Sequence, residues 1–324
     1  MPKVVPALAA LAALSVLAFL FVPTTGNPAA ADSGGAGSAT RGSARTTTVF
    51  AAAGDIACSP RNPLFHHGKG KGQWCRQKAT AAVVRKMHPD GVLMLGDGQY
   101  DSGLLREYRK SYALSWGRFL SKTYPVLGNH DYWAGPPRGF FDFFGTRSAV
   151  GLGQGWYSFD VPGWHLIGLN SNCDLIDCTA GSAEYTWLQH DLQAHAATQC
   201  QVAFMHHPRW SSGPHGNEKA DRPLIRLLTS AGVDLLLVGH DHIYERFAPQ
   251  DFRGKRDPNG IREIIVGTGG AEHYPIVHVQ RNSVKRNTTT FGVLRLALSR
   301  GAYSWRFMPV KGGRFSDAGS ASCH

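Results

Sequence analysis

The sequence predicts an α/β domain, because short apolar runs alternate along it with segments whose apolar residues recur at helical spacing. A second observation is that most of the apolar runs end in a glycine followed by a carboxylate, an amide or a histidine. A third is that the chain has no internal repeat and no second linker, which favours one folded domain over residues 47–324.

The predicted elements follow one another in a regular order. Apolar residues at helical spacing predict helices over residues 76–88, 104–120, 181–197 and 220–232, with Ser182 as a cap of the third. Continuous apolar runs predict strands within 47–55, 91–97, 123–131, 200–207, 234–240 and 261–270. Two strands joined through Pro162 and Gly163 are predicted within 156–172, and a hairpin within 291–310.

Residues 1–31 predict a signal peptide for export. The basic residue Lys3 precedes an apolar run from Val4 to Val22, and small residues at 29–31 offer a cleavage site. Because the apolar run is nearly long enough to span a bilayer, an uncleaved N-terminal membrane anchor is the alternative. Residues 32–46 are rich in Gly, Ser and Ala and predict a flexible linker. Either way, the rest of the chain is expected to be secreted or extracytoplasmic, with no stable membrane partner if the signal is cleaved.

The six cysteines fit an oxidising compartment. No pair has the CxxC spacing typical of a metal site, so disulfides are favoured over metal ligation. Six cysteines allow fifteen pairings, and the sequence does not select one. Proximity along the chain suggests Cys58–Cys75 and Cys173–Cys178, which leaves Cys200 for Cys323.

The composition is that of a basic globular protein. The charged fraction of 18% is too low for a disordered chain, and the formal net charge is +11. Such an excess favours anionic partners such as phosphate esters, polyphosphate, nucleic acid or acidic envelope polymers, without choosing among them.

Side chains of the kinds that bind metals stand at the ends of five predicted strands. They are Asp55, Asp97, Asn129 with His130, His206, and His240 with His242. In an α/β sheet, ligands bind beyond the carboxyl ends of the strands, so these side chains are expected to share one crevice. Alternation along an extended segment puts His240 and His242 on the same side. A capping aspartate or a loop histidine explains any single member, but not five strand ends together.

The donor types in this set indicate two metal ions. Carboxylate, amide, phenolate and imidazole suit borderline divalent or trivalent ions better than a zinc ion in a thiolate cage. Asp97 lies in the middle of the set and could bridge ions about 3.5–4 Å apart. His206 and His207 compete for one role, and alternation along the strand favours His206.

The segments GDIAC, GDGQY, GNHD, MHHP and GHDH, in this order, resemble those of the calcineurin-like metallophosphoesterases, and most closely those of the purple acid phosphatases. General metallophosphoesterases carry a histidine where this chain has Ala57. Purple acid phosphatases instead use a tyrosine three residues after the second aspartate, where Tyr100 stands. His215, nine residues after His206, is similar to the small animal-type acid phosphatases. The resemblance implies a four-layer α/β/β/α sandwich of two mixed sheets, with residues 47–324 as the catalytic domain.

The resemblance also implies the roles of individual residues. One ion would be held by Asp55, Asp97, Tyr100 and His242, and the other by Asp97, Asn129, His206 and His240. His130 and His215 would be the catalytic residues beside the ions, in contact with the phosphate or the leaving group. Because phenolate is a hard anionic donor, Fe(III) is expected at the Tyr100 site, with Fe(II), Zn or Mn at the other.

The expected function is that of a secreted, metal-dependent phosphoric ester hydrolase that cleaves small phosphate monoesters by direct attack of hydroxide held by the ions. A phosphodiesterase or nuclease of the same fold is the first alternative, in which nucleic acid is a partner only as substrate. The second alternative is a non-catalytic binder of anionic envelope polymers, which the nearly complete ligand set disfavours.

Overall fold

Two mixed β-sheets form the centre of the part of the chain that this computed structural model describes, residues 47–145 and 154–324. The predicted signal peptide and linker, residues 1–46, lie outside the described residues. The strands are β1 (Thr47–Ala53), β2 (Gly91–Leu95), β3 (Thr123–Val126), β4 (Tyr157–Val161), β5 (Trp164–Gly168), β6 (Cys200–Phe204), β7 (Leu235–Val238), β8 (Tyr244–Phe247), β9 (Arg262–Val266), β10 (Ser283–Asn287), β11 (Gly292–Ser299), β12 (Ala302–Pro309) and β13 (Ala318–Ser322). The helices are α1 (Gln77–Met87), α2 (Leu105–Lys110), α3 (Arg138–Phe144), α4 (Ala183–Ala194) and α5 (Arg222–Ser230).

The first sheet has the strand order β13-β12-β11-β1-β2-β3, and the second has the order β10-β8-β9-β7-β6-β5-β4. Neighbouring strands from β1 to β3 run parallel, as do β5, β6, β7 and β9. Parallel neighbours present their carboxyl ends at the same edge of a sheet. Both sheets therefore gather several strand ends into one crevice, as open α/β sheets do.

The core lies between the two sheets and is built by alternation along the strands. In β6, Val202 and Phe204 belong to the core shared by both sheets, whereas Ala203 packs with helices α4 and α5 on the outer face. Helix α1 packs against β11 and β12 on the outside of the first sheet, with Val84 fully buried. These layers confirm the predicted α/β/β/α sandwich.

Most predicted elements are confirmed, including the cap of α4, where the Ser182 hydroxyl oxygen accepts the backbone N–H of Tyr185. The helix predicted over 104–120 is wrong, because α2 ends at Lys110 and short 3-10 turns follow. The backbone N–H of Tyr112 donates to the side-chain oxygen of Gln99 at 3.0 Å, and the Ser111 hydroxyl donates to the Cys58 carbonyl oxygen at 2.6 Å. These hydrogen bonds to residues outside the segment take the place of the intrahelical hydrogen bonds that a continuous helix would form.

None of the helices in the described ranges has the length and apolar character that a crossing of the bilayer requires.

All six cysteines are paired in disulfides, in the pairing that chain proximity suggests: Cys58–Cys75, Cys173–Cys178 and Cys200–Cys323. Cys200 begins β6 of the second sheet, and Cys323 follows β13 of the first. This bond therefore ties the two sheets together across a separation of 123 residues, whereas Cys173–Cys178 spans only 5.

We expect replacement of Cys200 and Cys323 by alanine to lower the free energy of unfolding far more than replacement of Cys173 and Cys178. Closing the longer loop removes more entropy from the unfolded chain, about 5 kcal/mol against about 2 kcal/mol. Denaturant unfolding of both double variants measures the difference, and equal losses would contradict it. As a check, alkylation of the native protein should add no mass.

Candidate metal centre

The ends of β1, β2, β3, β6 and β7 carry the residues that the sequence singles out, and the structure brings these residues together. They are Asp55, Asp97, Asn129, His206, His240 and His242, and Tyr100 joins them from the loop after β2. Asp55 and His206 are completely buried, and Asp97 and His242 are 2% exposed. Buried charged groups of this kind need partners, which these residues find in one another.

The first group of donor atoms consists of Asp55, Tyr100 and His242. The Tyr100 hydroxyl lies 2.9 Å from both Oδ1 of Asp55 and Nε2 of His242, and these last two atoms are 3.4 Å apart. Nδ1 of His242 lies 2.8 Å from the Glu272 carbonyl oxygen, which can only accept a hydrogen bond. This contact places the hydrogen on Nδ1, so the lone pair of Nε2 faces the Asp55 carboxylate and the Tyr100 hydroxyl.

The second group consists of Asn129, His206 and His240. The side-chain oxygen of Asn129 lies 3.0 Å from Nε2 of His206 and 3.0 Å from Nδ1 of His240, and the two ring nitrogens are 3.2 Å apart. Nδ1 of His206 contacts the Leu95 carbonyl oxygen at 2.9 Å, so its hydrogen is held there. An amide oxygen and two imidazole nitrogens thus converge on one point, as ligands of a cation do.

Asp97 stands between the two groups. Its Oδ2 lies 3.5 Å from Nε2 of His206, while its Oδ1 accepts the backbone N–H of His130 at 3.0 Å. Ligand atoms of Asp55, Asp97 and His206 all lie within 4.8 Å of one another. In addition, Oδ2 of Asp55 accepts the backbone N–H of His240 at 2.9 Å, which joins the two groups directly. The donor set therefore fits two adjacent ions with Asp97 shared.

The pKa shifts in this cluster also fit a site for two adjacent metal ions. Burial raises the pKa of Asp97, but the neighbouring His206 and His130 outweigh it and hold that pKa well below its usual range. Burial lowers the pKa of His206, but the Asp97 carboxylate raises it to about 9. Burial and the Asp55 carboxylate raise the pKa of Tyr100 well above its ordinary value. The protons on His206 and Tyr100 thus offset the negative charge of the carboxylates. Binding of metal ions must release these protons.

The backbone at these strand ends is held in an unusual conformation. Asp55, Asp97 and His240 have φ values of 59°, 43° and 69°, in the left-handed region that costs a residue other than glycine about 1–2 kcal/mol. A side chain on Gly128 would collide with the Asp97 carboxylate, so only glycine lets the chain pass this close. The strand ends are therefore shaped to aim side chains into the crevice, at a cost in stability.

His130 and His215, the predicted catalytic residues, both lie beside the cluster. Nδ1 of His130 is 2.6 Å from the Asp101 carbonyl oxygen, and its ring centroid is 4.4 Å from that of Tyr100. The His215 ring is 4.1 Å from the His240 ring, and its side chain is 45% exposed. Both are placed to meet a substrate that approaches the cluster from solvent.

The structure also shows a residue that sequence reasoning missed. Asp241 is completely buried, and its Oδ1 lies 2.9 Å from Nδ1 of His215 and accepts that residue's backbone N–H at 3.3 Å. The Ser211 hydroxyl donates to its other oxygen. Asp241 thus orients His215, whose Nε2 has no hydrogen bond to any residue of 47–145 or 154–324. The signal for it was the carboxylate between the two histidines of GHDH, which alternation directs away from the ions.

Comparison with known proteins gives matches along most of this chain. The sequence model of the family described as calcineurin-like phosphoesterase matches residues 48–244. Purple acid phosphatase 21 of Arabidopsis thaliana is 31% identical over 240 residues, which are 68% of this chain and 49% of that protein. Purple acid phosphatase 22 of the same plant is 38% identical over 120 residues, which are 36% and 27% of the two chains. The chain therefore spans about half the length of the first relative and less of the second.

Solved structures show the same fold. A purple acid phosphatase from yellow lupin (Lupinus luteus) seeds superposes with a TM-score of 0.68 at 17% identity, over 85% of this chain and 54% of that one. GAP50, the anchor in the inner membrane complex of Plasmodium, does so with a TM-score of 0.61 at 16% identity, over 86% and 90%. Because this fold also serves in an anchor protein, the fold alone does not distinguish an enzyme from a binding protein, whereas the donor atoms of the site do.

We expect Asp97→Asn to reduce the bound metal from two equivalents to less than one, because the shared carboxylate serves both ions and an amide carries no charge. Metal analysis of the purified protein by inductively coupled plasma mass spectrometry measures this. Asp177→Asn, an exposed carboxylate elsewhere, is the control and should leave both equivalents in place. Two full equivalents in Asp97→Asn would remove Asp97 from the shared position.

Proposed function

The chain belongs to the calcineurin-like phosphoesterase family, and on that premise we propose that residues 47–324 are a catalytic domain that hydrolyses phosphate monoesters with two metal ions. The observation that carries the proposal is the pair of convergent donor groups that share Asp97. Every predicted ligand contributes a side-chain atom to one of the two groups or lies between them. A protein that only binds polymers has no need for so complete a set.

The two ions, when bound, supply a water nucleophile of lowered pKa and neutralise charge on the transferred phosphoryl group. This chain's own residues do the rest. The carbonyl oxygens of Leu95 and Glu272 hold the ring orientations of His206 and His242 and keep their Nδ1 hydrogens in place. His130 is held by Asp101 beside the shared carboxylate, where it can donate a hydrogen bond to a phosphate oxygen.

His215 is proposed to donate a proton to the leaving group. Its Nδ1 is engaged by the buried Asp241, so Nε2 is the atom available toward the cluster, and partial exposure gives it access to solvent protons. The leaving group of an alkyl monoester is an alkoxide, which needs a proton as it departs. A buried carboxylate that orients an exposed histidine is an arrangement suited to that step.

Iron is proposed at the Tyr100 site. Tyr100 is 8% exposed, and its hydroxyl contacts only Asp55 and His242 among the hydrogen bonds of the described residues. Phenolate is a hard anionic oxygen ligand, which a trivalent ion binds more strongly than a divalent one. The second group, with an amide and two imidazoles, is proposed to hold Fe(II), Zn or Mn.

Secretion is proposed from the cysteines together with the N-terminal sequence. All six cysteines form disulfides, which persist in extracytoplasmic compartments and are rare in the cytosol. Residues 1–31 are proposed as the signal that takes the chain there.

We expect the oxidised protein, purified with iron, to be pink to violet, because phenolate bound to Fe(III) gives a charge-transfer band in the visible. Tyr100→Phe should abolish the band while Asp55, Asp97 and His242 still bind metal. Visible absorption and metal analysis of the same sample measure both effects. A colourless, active protein with two divalent ions would overturn the iron assignment and leave Tyr100 as a wall of the pocket.

We expect His215→Ala to lower kcat for alkyl phosphates about 100-fold, but for p-nitrophenyl phosphate much less, since nitrophenolate leaves without protonation. Asp241→Asn should show the same dependence on the leaving group, because it acts through His215. Metal content should be unchanged in both variants, and His190→Ala, an exposed histidine on α4, is the control. Equal losses on both esters would contradict the assignment.

The comparison of monoesters with diesters tests the proposed function as a whole. A panel that includes p-nitrophenyl phosphate and bis-p-nitrophenyl phosphate should show preference for the monoester. Hydrolysis of the diester alone would favour the phosphodiesterase alternative, and hydrolysis of neither would favour a binding protein.

A further inference from the structure

A second cluster of imidazole and carboxylate groups lies toward the end of the second sheet that is opposite to the metal centre. It consists of Asp160 on β4, His165 on β5, Asp191 on α4, and His195, which follows the last residue of α4. β5 runs parallel to β6, and His165 pairs with Gln201 near the start of β6, whereas the metal centre follows the end of that strand. The cluster is therefore separate from the two donor groups of the centre.

Three ligand atoms of this cluster lie close together. Nδ1 of His165 is 2.7 Å from Oδ1 of Asp160, and Nε2 of His195 is 3.9 Å from Oδ2 of the same carboxylate. The two imidazole rings are stacked, with their centroids 3.6 Å apart. One ligand atom from each of the three residues lies within 4.8 Å of the other two. Because two ligands of a tetrahedral zinc ion are about 3.3 Å apart, these atoms are close enough to share one ion.

Asp191 accepts a hydrogen bond from each ring on the side away from Asp160. Its Oδ2 lies 2.8 Å from Nε2 of His165, and its main-chain carbonyl oxygen lies 2.8 Å from Nδ1 of His195. Each ring therefore has one nitrogen engaged by Asp191, and its other nitrogen faces Asp160. The Ser158 hydroxyl donates to Oδ1 of Asp191 at 2.7 Å and holds this carboxylate in place. A carboxylate that orients imidazoles in this way is typical of the surroundings of a metal ion.

A proton and a metal ion compete for Nδ1 of His165. Burial lowers the pKa of His165, but the carboxylates of Asp191 and Asp160 outweigh it and raise that pKa above its usual value. The His165 side chain is 1% exposed, whereas that of Asp160, which contacts Nδ1, is 64% exposed. An ion can therefore enter from the side of Asp160 and take the place of the direct contact between the two residues.

The donor types select the class of ion. Two imidazole nitrogens and one carboxylate oxygen suit Zn²⁺, whereas Mg²⁺ and Ca²⁺ prefer oxygen ligands alone. The stacked rings differ in plane by 14°, so the ring of His195 has to tilt for its lone pair to point at an ion shared with His165. The side chain of His195 is 28% exposed and follows the end of α4, which leaves room for this movement.

We propose that Asp160, His165 and His195 bind a zinc ion that ties the edge of the second sheet to helix α4, with Asp191 as the residue that orients both imidazoles. β4 is the last strand of its sheet and pairs there with β5 alone. An ion held by β4, β5 and the end of α4 links three elements, and an ligand that binds only the folded state stabilises it. This structural ion is additional to the ions of the proposed function and does not depend on them.

The test is a calorimetric titration of Zn²⁺ at pH 8 into protein whose centre is already loaded with metal. We expect the wild-type protein to bind one further equivalent of zinc, and no further Mg²⁺ or Ca²⁺. Asp160→Asn and His195→Gln should each weaken this binding about 100-fold or more, because each removes one of three ligands. Asp191→Asn should weaken it about tenfold to 100-fold, because it acts through the two rings.

His190→Gln is the matched control, since it removes an exposed histidine of α4 that lies outside the cluster. It should keep the further equivalent of zinc. Zinc should also raise the Tm of the wild type and of His190→Gln but not that of Asp160→Asn. Hydrolysis of p-nitrophenyl phosphate should be the same in all these proteins, because the cluster lies away from the centre.

No further equivalent of zinc at pH 8 would show that the cluster holds a proton only, and would overturn the inference. Equal zinc binding by the wild type and Asp160→Asn would also overturn it, as would equal uptake of Ca²⁺, which is what an ordinary acidic surface gives. The result is the difference in zinc content between the wild type and its variants. A protein that hydrolyses no ester but loses one zinc in Asp160→Asn would therefore support the zinc site while the proposed function fails.

Discussion

The buried carboxylate of Asp97, which lies between the two donor groups, is the constraint on which the rest of the structure depends. It is buried between two groups of donor atoms and holds contacts with His206 and the backbone of His130. One carboxylate can serve two cations only if both groups approach it within a few ångströms, which the ends of β2, β3 and β6 allow because they belong to sheets packed face to face. The packing of the two sheets thus fixes the position of the Asp97 side chain between the donor groups.

Stability and function compete at the strand ends. Three donors there, Asp55, Asp97 and His240, have left-handed backbone conformations, and such strain persists only where the surroundings determine it fully. Hydrogen bonds between successive loops supply that determination, such as the bond from the Ile56 N–H to the Asp97 carbonyl oxygen at 3.0 Å. The bond between Cys200 and Cys323 adds a covalent tie between the sheets, away from the strained loops.

The net charge of the whole chain differs in sign from the local charge beside the metal centre. The basic surface of the whole chain attracts anions in general and favours fast encounter, as summed charge does over distances of several ångströms. Beside the metal centre the local charge is the opposite, since two carboxylates, Asp174 and Glu218, and neither lysine nor arginine line the cavity next to Asn129.

The sequence by itself determined the α/β class, most of the strands and helices, and the residue types that gather at the strand ends, whereas the disulfide pairs that proximity only suggests were decided by the structure. These follow from local periodicity and from the rule that parallel strands share an edge. Only the tertiary structure decided the rest. The edge strands β10 and β13 have no apolar run, and pairing with a neighbour defines them. The helix predicted over 104–120 is broken by a side chain distant in sequence, Gln99. Likewise, the contact of Asp241 with His215 depends on which loops meet, and no local pattern records that.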